Sequence, residues 1–291
     1  MNDGFYRAFE ERYYAPREFI KTLRRQYMPF VAPLISAYPG AAAFDIGCGR
    51  GEWLELMMEI GFKPYGVDLD EGMLSDCTER ALPAERGDAV VFLAGLPRES
   101  QAVVSAFHVV EHMSFEQLRT VVVQALRVLV PGGVLILETP NPENLVVGTS
   151  NFYIDPTHQR PVPAKLLSFL PEYYGFKRVK ILRLQESAEL FGGKTPTLCD
   201  VLSGVSPDCA VVAQKTGEAE VLAATSPAFE AEYGVTLESL AGRYDEEMKA
   251  RVSRLEADCD ATHARARRAE IVLNAVYRSR AWRGLIRERR R

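Results

Sequence analysis

The chain has 291 residues, 47% of them hydrophobic and 25% charged, enough apolar material to bury one full core and leave a tail outside it. Its formal net charge of -4 argues against a general nucleic-acid binder, although the average conceals a basic C-terminal end. Five widely spaced cysteines (Cys48, Cys77, Cys199, Cys209 and Cys259) without a CxxC pair indicate neither a zinc ribbon nor a disulfide framework and fit a reducing cytoplasm.

The opening residues, with Asp3, Glu10 and Glu11, lack the apolar centre of a signal peptide, and no apolar run is long enough to span a bilayer. A soluble cytoplasmic protein is expected, attached at most to the inner face of a membrane. Phe5, Tyr6, Phe9, Tyr13 and Tyr14 cluster at helix-like spacing. A second helical run, Pro16 to Phe30, mixes Ile20, Leu23 and Tyr27 with Arg17, Lys21, Arg24 and Arg25. Two readings stay open for residues 1–40: packing on the edge of a sheet, or a lid over its ligand.

Small apolar residues from Ala41 lead into Phe44-Asp45-Ile46-Gly47-Cys48-Gly49-Arg50-Gly51, and a helical pattern from Glu52 to Ile60 leaves it. This is a strand, a glycine turn and a helix start, where backbone approaches a ligand closely and free N–H groups point toward it. The dinucleotide fingerprint needs its third glycine three residues after the second. Here the glycines fall at alternate positions, which disfavours an NAD oxidoreductase.

The next strand, Pro64 to Asp68, ends in an acid 17 residues after Gly51, about where doubly wound folds place a carboxylate on ribose hydroxyls. Asp70 is expected to cap the helix Glu71 to Arg80. Gly87-Asp88-Ala89 closes a third strand before a short helix, Val90 to Leu96, and Asp88 reads either as a ligand or as that helix's cap. Gln101 to Phe107 is a continuous apolar strand that runs into His108-Val109-Val110-Glu111-His112. A helix Phe115 to Leu129, a Pro131-Gly132-Gly133 turn and a strand Val134 to Glu138 follow.

Beyond the fifth strand come a loop through Asn151 to His158, a helix from Pro163 to Tyr174, and strands Phe176 to Leu184 and Cys209 to Gln214. Strands alternating with helices give an open α/β sheet. Residues 216–240 read as a linker after a domain at 41–215. In the helical tail, 241–291, Met248, Val252, Leu255, Cys259, Thr262, Ala266, Ala269, Leu273 and Val276 alternate by four and three, giving four weak heptads. A helix packed on its own domain and a small oligomer are both open. The end, Tyr277 to Arg291, holds seven arginines and one acid, suited either to an anionic membrane surface or to solvent.

With Asp45 to Gly51, Asp68, Asp88, the HVVEH run and the PGG turn in order, residues 44–214 resemble a class I S-adenosylmethionine (SAM) methyltransferase. The resemblance implies a Rossmann-like seven-stranded mixed sheet, its last strand inserted antiparallel beside the sixth. It also implies SAM as cofactor, held by Asp45, Gly47, Cys48, Gly49, Asp68, Leu69, Asp88, Ala89 and His108. More narrowly, ETPNPENL, NFYIDPTHQRPVP, the leading FYRAFEERY and the basic tail resemble bacterial polysaccharide-modifying methyltransferases, including O-antigen chain-terminating enzymes. Two features depart from those: these 291 residues hold no kinase domain, and the coiled segment is short.

Sugar hydroxyls hardly ionise at neutral pH, so methylating one needs a general base or a metal. His158 or His112 is the expected base, oriented by Glu111 or Asp155. A sharper reading has His108, Glu111, His112 and His158 hold a divalent ion, as an ExxEH run with a later histidine does in the similar small-RNA 2'-O-methyltransferases. The first expectation is therefore an O-methyltransferase for a sugar hydroxyl or sugar phosphate of a bacterial glycan or glycolipid. Alternatives are a small-molecule (quinone or natural-product) methyltransferase and a non-catalytic SAM-binding scaffold that recruits glycosyltransferases. RNA is disfavoured because no basic stripe interleaved with aromatics lies inside the domain.

Overall fold

The computed structural model describes residues 15–279 together with Arg12, Trp282 and Gly284. The aromatic cluster Phe5, Tyr6, Phe9, Tyr13 and Tyr14, and the basic end beyond Ser279 apart from Trp282 and Gly284, lie outside the described residues. Continuous apolar runs become the inner strands because both faces of the sheet are covered. β4 (Gln101–Phe107) is buried at every position but the last. Its neighbours are β1 (Ala42–Ile46) and β5 (Leu129–Pro140).

With β2 (Lys63–Asp68), β3 (Ala84–Arg86), β6 (Arg178–Leu184) and β7 (Asp208–Gln214), the described residues form a seven-stranded sheet of order β3-β2-β1-β4-β5-β7-β6. β7 runs antiparallel to both β5 and β6, pairing Ile136 with Val212 and Ile181 with Val211. The expected mixed sheet with its reversed last strand is therefore present. Alternate strand residues divide the core in two. Phe44, Val104, Leu135 and Leu137 face one layer, with α6 (Phe115–Val128) and α8 (Ala164–Tyr174) over it. Ala43, Val103 and Ile136 face the other.

That second layer is closed by α1 (Arg17–Arg24), α2 (Met28–Ala37) and α3 (Glu52–Glu59). Tyr27, Phe30, Val31 and Leu34 are fully buried there, so this described part of the N-terminal region packs on the sheet. The remaining helices are α4 (Glu71–Glu79), α5 (Ala89–Gly95), α7 (Leu145–Thr149), α9 (Ala188–Phe191), α10 (Leu198–Ser203), α11 (Ala219–Glu230) and α12 (Leu237–Arg278).

The structure corrects two sequence expectations. β5 begins at Leu129, five residues before Val134. Gln101 pairs with Leu129 and Val103 already with Val134, so Pro131-Gly132-Gly133 forms a bulge inside the strand. The expected linker carries α11, which lies against α2. Phe229 meets Phe30 edge-on with centroids 5.1 Å apart, and Arg178 donates to Leu222 O, Ser226 Oγ and Thr225 Oγ1. Its buried positions are Thr225 and Ala228, small residues that produce no apolar period.

α12 starts from a Thr236–Ser239 capping box and buries Leu240 beside Leu190, Val201, Val205 and Val235. Every residue from Lys249 to Arg278 is exposed. No helix among the described residues is long and apolar enough to cross a membrane.

Candidate active site

The carboxyl ends of β1, β2, β4 and β5 meet along one edge of the sheet, where ligands bind in open α/β folds. After β1, Gly47, Gly49 and Gly51 all take left-handed φ values of +65°, +52° and +79°. A Cβ on Gly47 would lie 2.4 Å from Val109 Cγ2, and one on Gly51 2.6 Å from Leu82 Cδ1, so side chains are excluded on two sides. Gly49 N–H donates to Asp68 Oδ2 and Asp70 N–H to Asp68 Oδ1, each at 2.8 Å. The expected ribose acid is thus held against the glycine turn, with burial raising its pKa.

The other cofactor candidates divide by role. Asp45 lies buried beneath the turn and accepts from Ser105 Oγ at 2.7 Å, and burial pushes its pKa up to about 7. Cys48 packs with Leu54, Leu74 and Cys77, so its thiol serves the core. Leu69, 72% exposed, flanks Asp68 as an apolar platform. Asp88 caps α5, accepting from Val90 N and Val91 N, with Ala89 as the first helical residue. Asp70 caps α4 as expected, accepting from Gly72 N and Met73 N.

One contributor escapes sequence reasoning. Arg17 donates to Glu55 Oε2 at 2.8 Å and to the carbonyls of Arg50 and Gly51 at 2.8 and 3.2 Å. Next along the same helix, Lys21 pairs with Glu59 at 2.5 Å, and Arg24 donates to Glu138. Cations at 17, 21 and 25 facing acids at 52, 55 and 59 were the available signal.

On the far side of the cleft, His108 follows β4 with φ +56°, an uncommon conformation for a residue with a Cβ. Its Nε2 lies 3.1 Å from Glu138 Oε1 and 3.8 Å from Asp208 Oδ1, and its Nδ1 3.4 Å from Glu111 Oε1. Burial opposes its charge, but the Asp208, Glu111 and Glu138 carboxylates outweigh it and hold the imidazole pKa well above its ordinary value. Burial likewise pushes Asp208 up to about 6. Glu138 also takes hydrogen bonds from Arg24 and Tyr27, and these cations and donors overcome burial to bring it down to about 2.

Glu111 is fully buried. Its Oε2 accepts from Thr139 Oγ1 at 3.0 Å, while Oε1 has no hydrogen-bond partner. Gln159 ties the DPTH segment to the HVVEH run, donating from its backbone to Glu111 O at 2.9 Å and from its side chain to His112 O at 2.7 Å. This brings the His112 and His158 rings to 4.7 Å centroid separation.

His158 Nδ1 lies 2.6 Å from Phe152 O, an acceptor, so Nδ1 carries the proton and the neutral ring keeps its Nε2 lone pair. That Nε2 stands 3.9 Å from Asp155 Oδ2 and 4.0 Å from Glu111 Oε1. Thr157 donates its hydroxyl to Asp155 Oδ1 at 2.6 Å and therefore accepts from His112 Nδ1 at 2.9 Å. Burial lowers the His112 pKa, favouring the neutral ring. Burial works against the Asp155 carboxylate, but the two Thr157 hydrogen bonds hold its pKa below the usual range.

One oxygen of Glu111 and one ring nitrogen each of His112 and His158 lie within 4.8 Å of one another, donors suited to a divalent ion. His108 falls outside that set and groups with Glu138 and Asp208. The expected four-residue cluster is therefore two groups, because the left-handed turn at His108 directs its ring toward β5 and β7.

A methyltransferase-domain family model matches residues 44–137. The fold is similar to the crystal structure of a SAM-dependent methyltransferase from Archaeoglobus fulgidus, at 32% identity and a TM-score of 0.63, over 72% of this chain and all of that one. A probable SAM-dependent methyltransferase of Mycolicibacterium smegmatis is 30% identical over 138 residues, 47% of this chain and 52% of that protein. One from Mycobacterium tuberculosis is 32% identical over 149 residues, 50% of this chain and 53% of that protein. The chain spans about half the length of these curated relatives. With its match to the whole archaeal chain, the protein belongs to the SAM-dependent methyltransferase family.

Proposed function

From that membership we propose that the chain methylates a hydroxyl of a sugar, or a sugar phosphate, in a bacterial glycan or glycolipid. Gly47, Gly49 and Asp68 would hold SAM, with Asp45 beneath them and Leu69, Asp88 and Ala89 beside the base; a turn of three left-handed glycines with one carboxylate against it fits that ligand. Bound SAM supplies an electrophilic methyl group on a sulfonium centre.

The chain's own task is then to place a hydroxyl and remove its proton. The observation that carries the reading is the paired imidazoles, each with Nδ1 engaged and Nε2 left as a proton acceptor. His158 Nε2 takes the hydroxyl proton as the oxygen attacks. Asp155 and the buried Glu111 carboxylate then stabilise the imidazolium. Tyr153 and Ile154, both exposed beside this histidine, offer apolar surface to an acceptor ring. The sugar itself is supported by the likeness of the ETPNPENL and NFYIDPTHQRPVP stretches to polysaccharide-modifying enzymes.

The test combines calorimetric titration of SAM with mass spectrometry of surface glycans from cells with and without the protein. Saturable binding and one missing methyl group are expected; binding with every glycan unchanged removes the sugar reading. A second reading places a divalent ion on Glu111, His112 and His158, favoured by the unbonded Glu111 oxygen. Methyl transfer indifferent to a chelator removes the ion.

A further inference from the structure

The long helix α12 leaves the domain after Met248 and extends for about 45 Å at 1.5 Å per residue; among the described residues only Trp282, edge-on to Tyr277 at its far end, folds back against it. Its seam residues Val252, Leu255, Leu273 and Val276 are 54%, 61%, 55% and 45% exposed. A lone helix presenting an apolar stripe along its length gains little from its own propensity, so its stability depends on what covers that stripe.

The charges beside the seam specify the cover. In a parallel pair of helices in register, the residue before each first seam position meets the residue five places further along the partner. Here Arg251 meets Glu256 of the partner subunit, Asp258 meets the partner's His263, Arg265 meets the partner's Glu270, and Val272 meets the partner's Tyr277. All four positions find a complement, two as acid–base pairs, one as an acid and a histidine, and one as an apolar pair. The antiparallel arrangement that buries the same seam sets Glu256 against the partner's Glu270 and Arg265 against the partner's Arg265, like charges in both places. We propose that residues 248–276 form a parallel, in-register two-stranded coiled coil with a second copy of this chain.

The small seam residues Thr262, Ala266 and Ala269 let the helices approach closely but bury little area, so the pair is a dissociating one. Because Leu240 and its cluster anchor each helix to its domain, pairing places two candidate active sites at the same end of a shared rod. The inference is independent of which acceptor is methylated.

The experiment is sedimentation equilibrium of the full chain over a dilution series spanning the micromolar range, alongside E256K/E270K and the four-fold variant that adds R251E/R265E. These positions are exposed, and circular dichroism checks that the helix content is kept. A dimer is expected whose dissociation constant rises about tenfold or more in E256K/E270K and returns to near wild type in the four-fold variant. In a Cys199→Ser background, mild oxidation should link Cys259 to the partner's Cys259, since this seam position faces itself only in the parallel register. A chain monomeric at every concentration, a trimer, a dimer unmoved by charge reversal, or a Cys259 that does not cross-link overturns the proposal.

Discussion

The two sides of the cleft are built in opposite ways. On the glycine side the geometry is made by backbone, with three left-handed glycines and one carboxylate taking two N–H bonds within a span of about twenty-five residues. On the histidine side it is made by side chains from separated segments: His108, Glu111 and His112 after β4, Glu138 and Thr139 on β5, Asp155 to Gln159 in a loop, and Asp208 on β7. The first side is rigid by local covalent geometry and the second only by packing. Binding and turnover should therefore respond separately to substitution.

The sharpest break of this contrast is His158→Ala, expected to lower turnover by about 10²–10⁴ while SAM affinity stays within about twofold. Single-turnover kinetics beside calorimetry would show it, and a parallel loss of SAM affinity would mean that the two sides are not separable. Gly47→Ala should do the reverse. Its Cβ meets Val109 and its φ is strained, so SAM binding should weaken by about 100-fold, with a stability loss of about 1–3 kcal/mol.

Asp45 supplies a pH signature for the glycine side. Its folded pKa is raised to about 7 from an unfolded value near 3.8, so between those values the folded state holds more protons than the unfolded. Stability should then fall as pH rises from about 4 to 7, by up to a few kcal/mol from this group. Asp45→Asn should flatten that slope in urea titrations, and a slope unchanged by the substitution would assign it elsewhere. The smallest expected effect is Arg17→Met, which leaves the turn folded but unclamped. SAM affinity should drop roughly three- to tenfold (about 1 kcal/mol), as for a charge-assisted bond to backbone, with turnover at saturation unchanged. A fall in saturated turnover would place Arg17 on both sides of the contrast.

The same division governs what was legible in advance. The alternating glycines, the position of Asp68 at the end of β2, the Asp70 cap and the apolar runs of β4 and β7 are dictated by local spacing, and these elements stand where the spacing puts them. The reversed last strand followed from the family likeness. The clamp of Arg17, the sharing of Glu138 by Arg24, Tyr27 and His108, and the split of the histidine cluster depend on contacts across the chain. Local periodicity does not say which partners meet, even where, as on the Arg17 helix, it lines up cations that match a row of acids. α11 was missed because it docks through Thr225 and Ala228, and the early start of β5 because a bulge imitates a turn.

The pair of hydrogen bonds from Gln159 to the Glu111–His112 segment has a consequence for how such a protein diversifies. Because one glutamine rivets the loop at its histidine end, the preceding residues Tyr153 and Ile154 can vary without unseating His158, the base proposed above. On that proposal, acceptor preference can drift by exchanging two exposed side chains while the paired histidines are inherited intact.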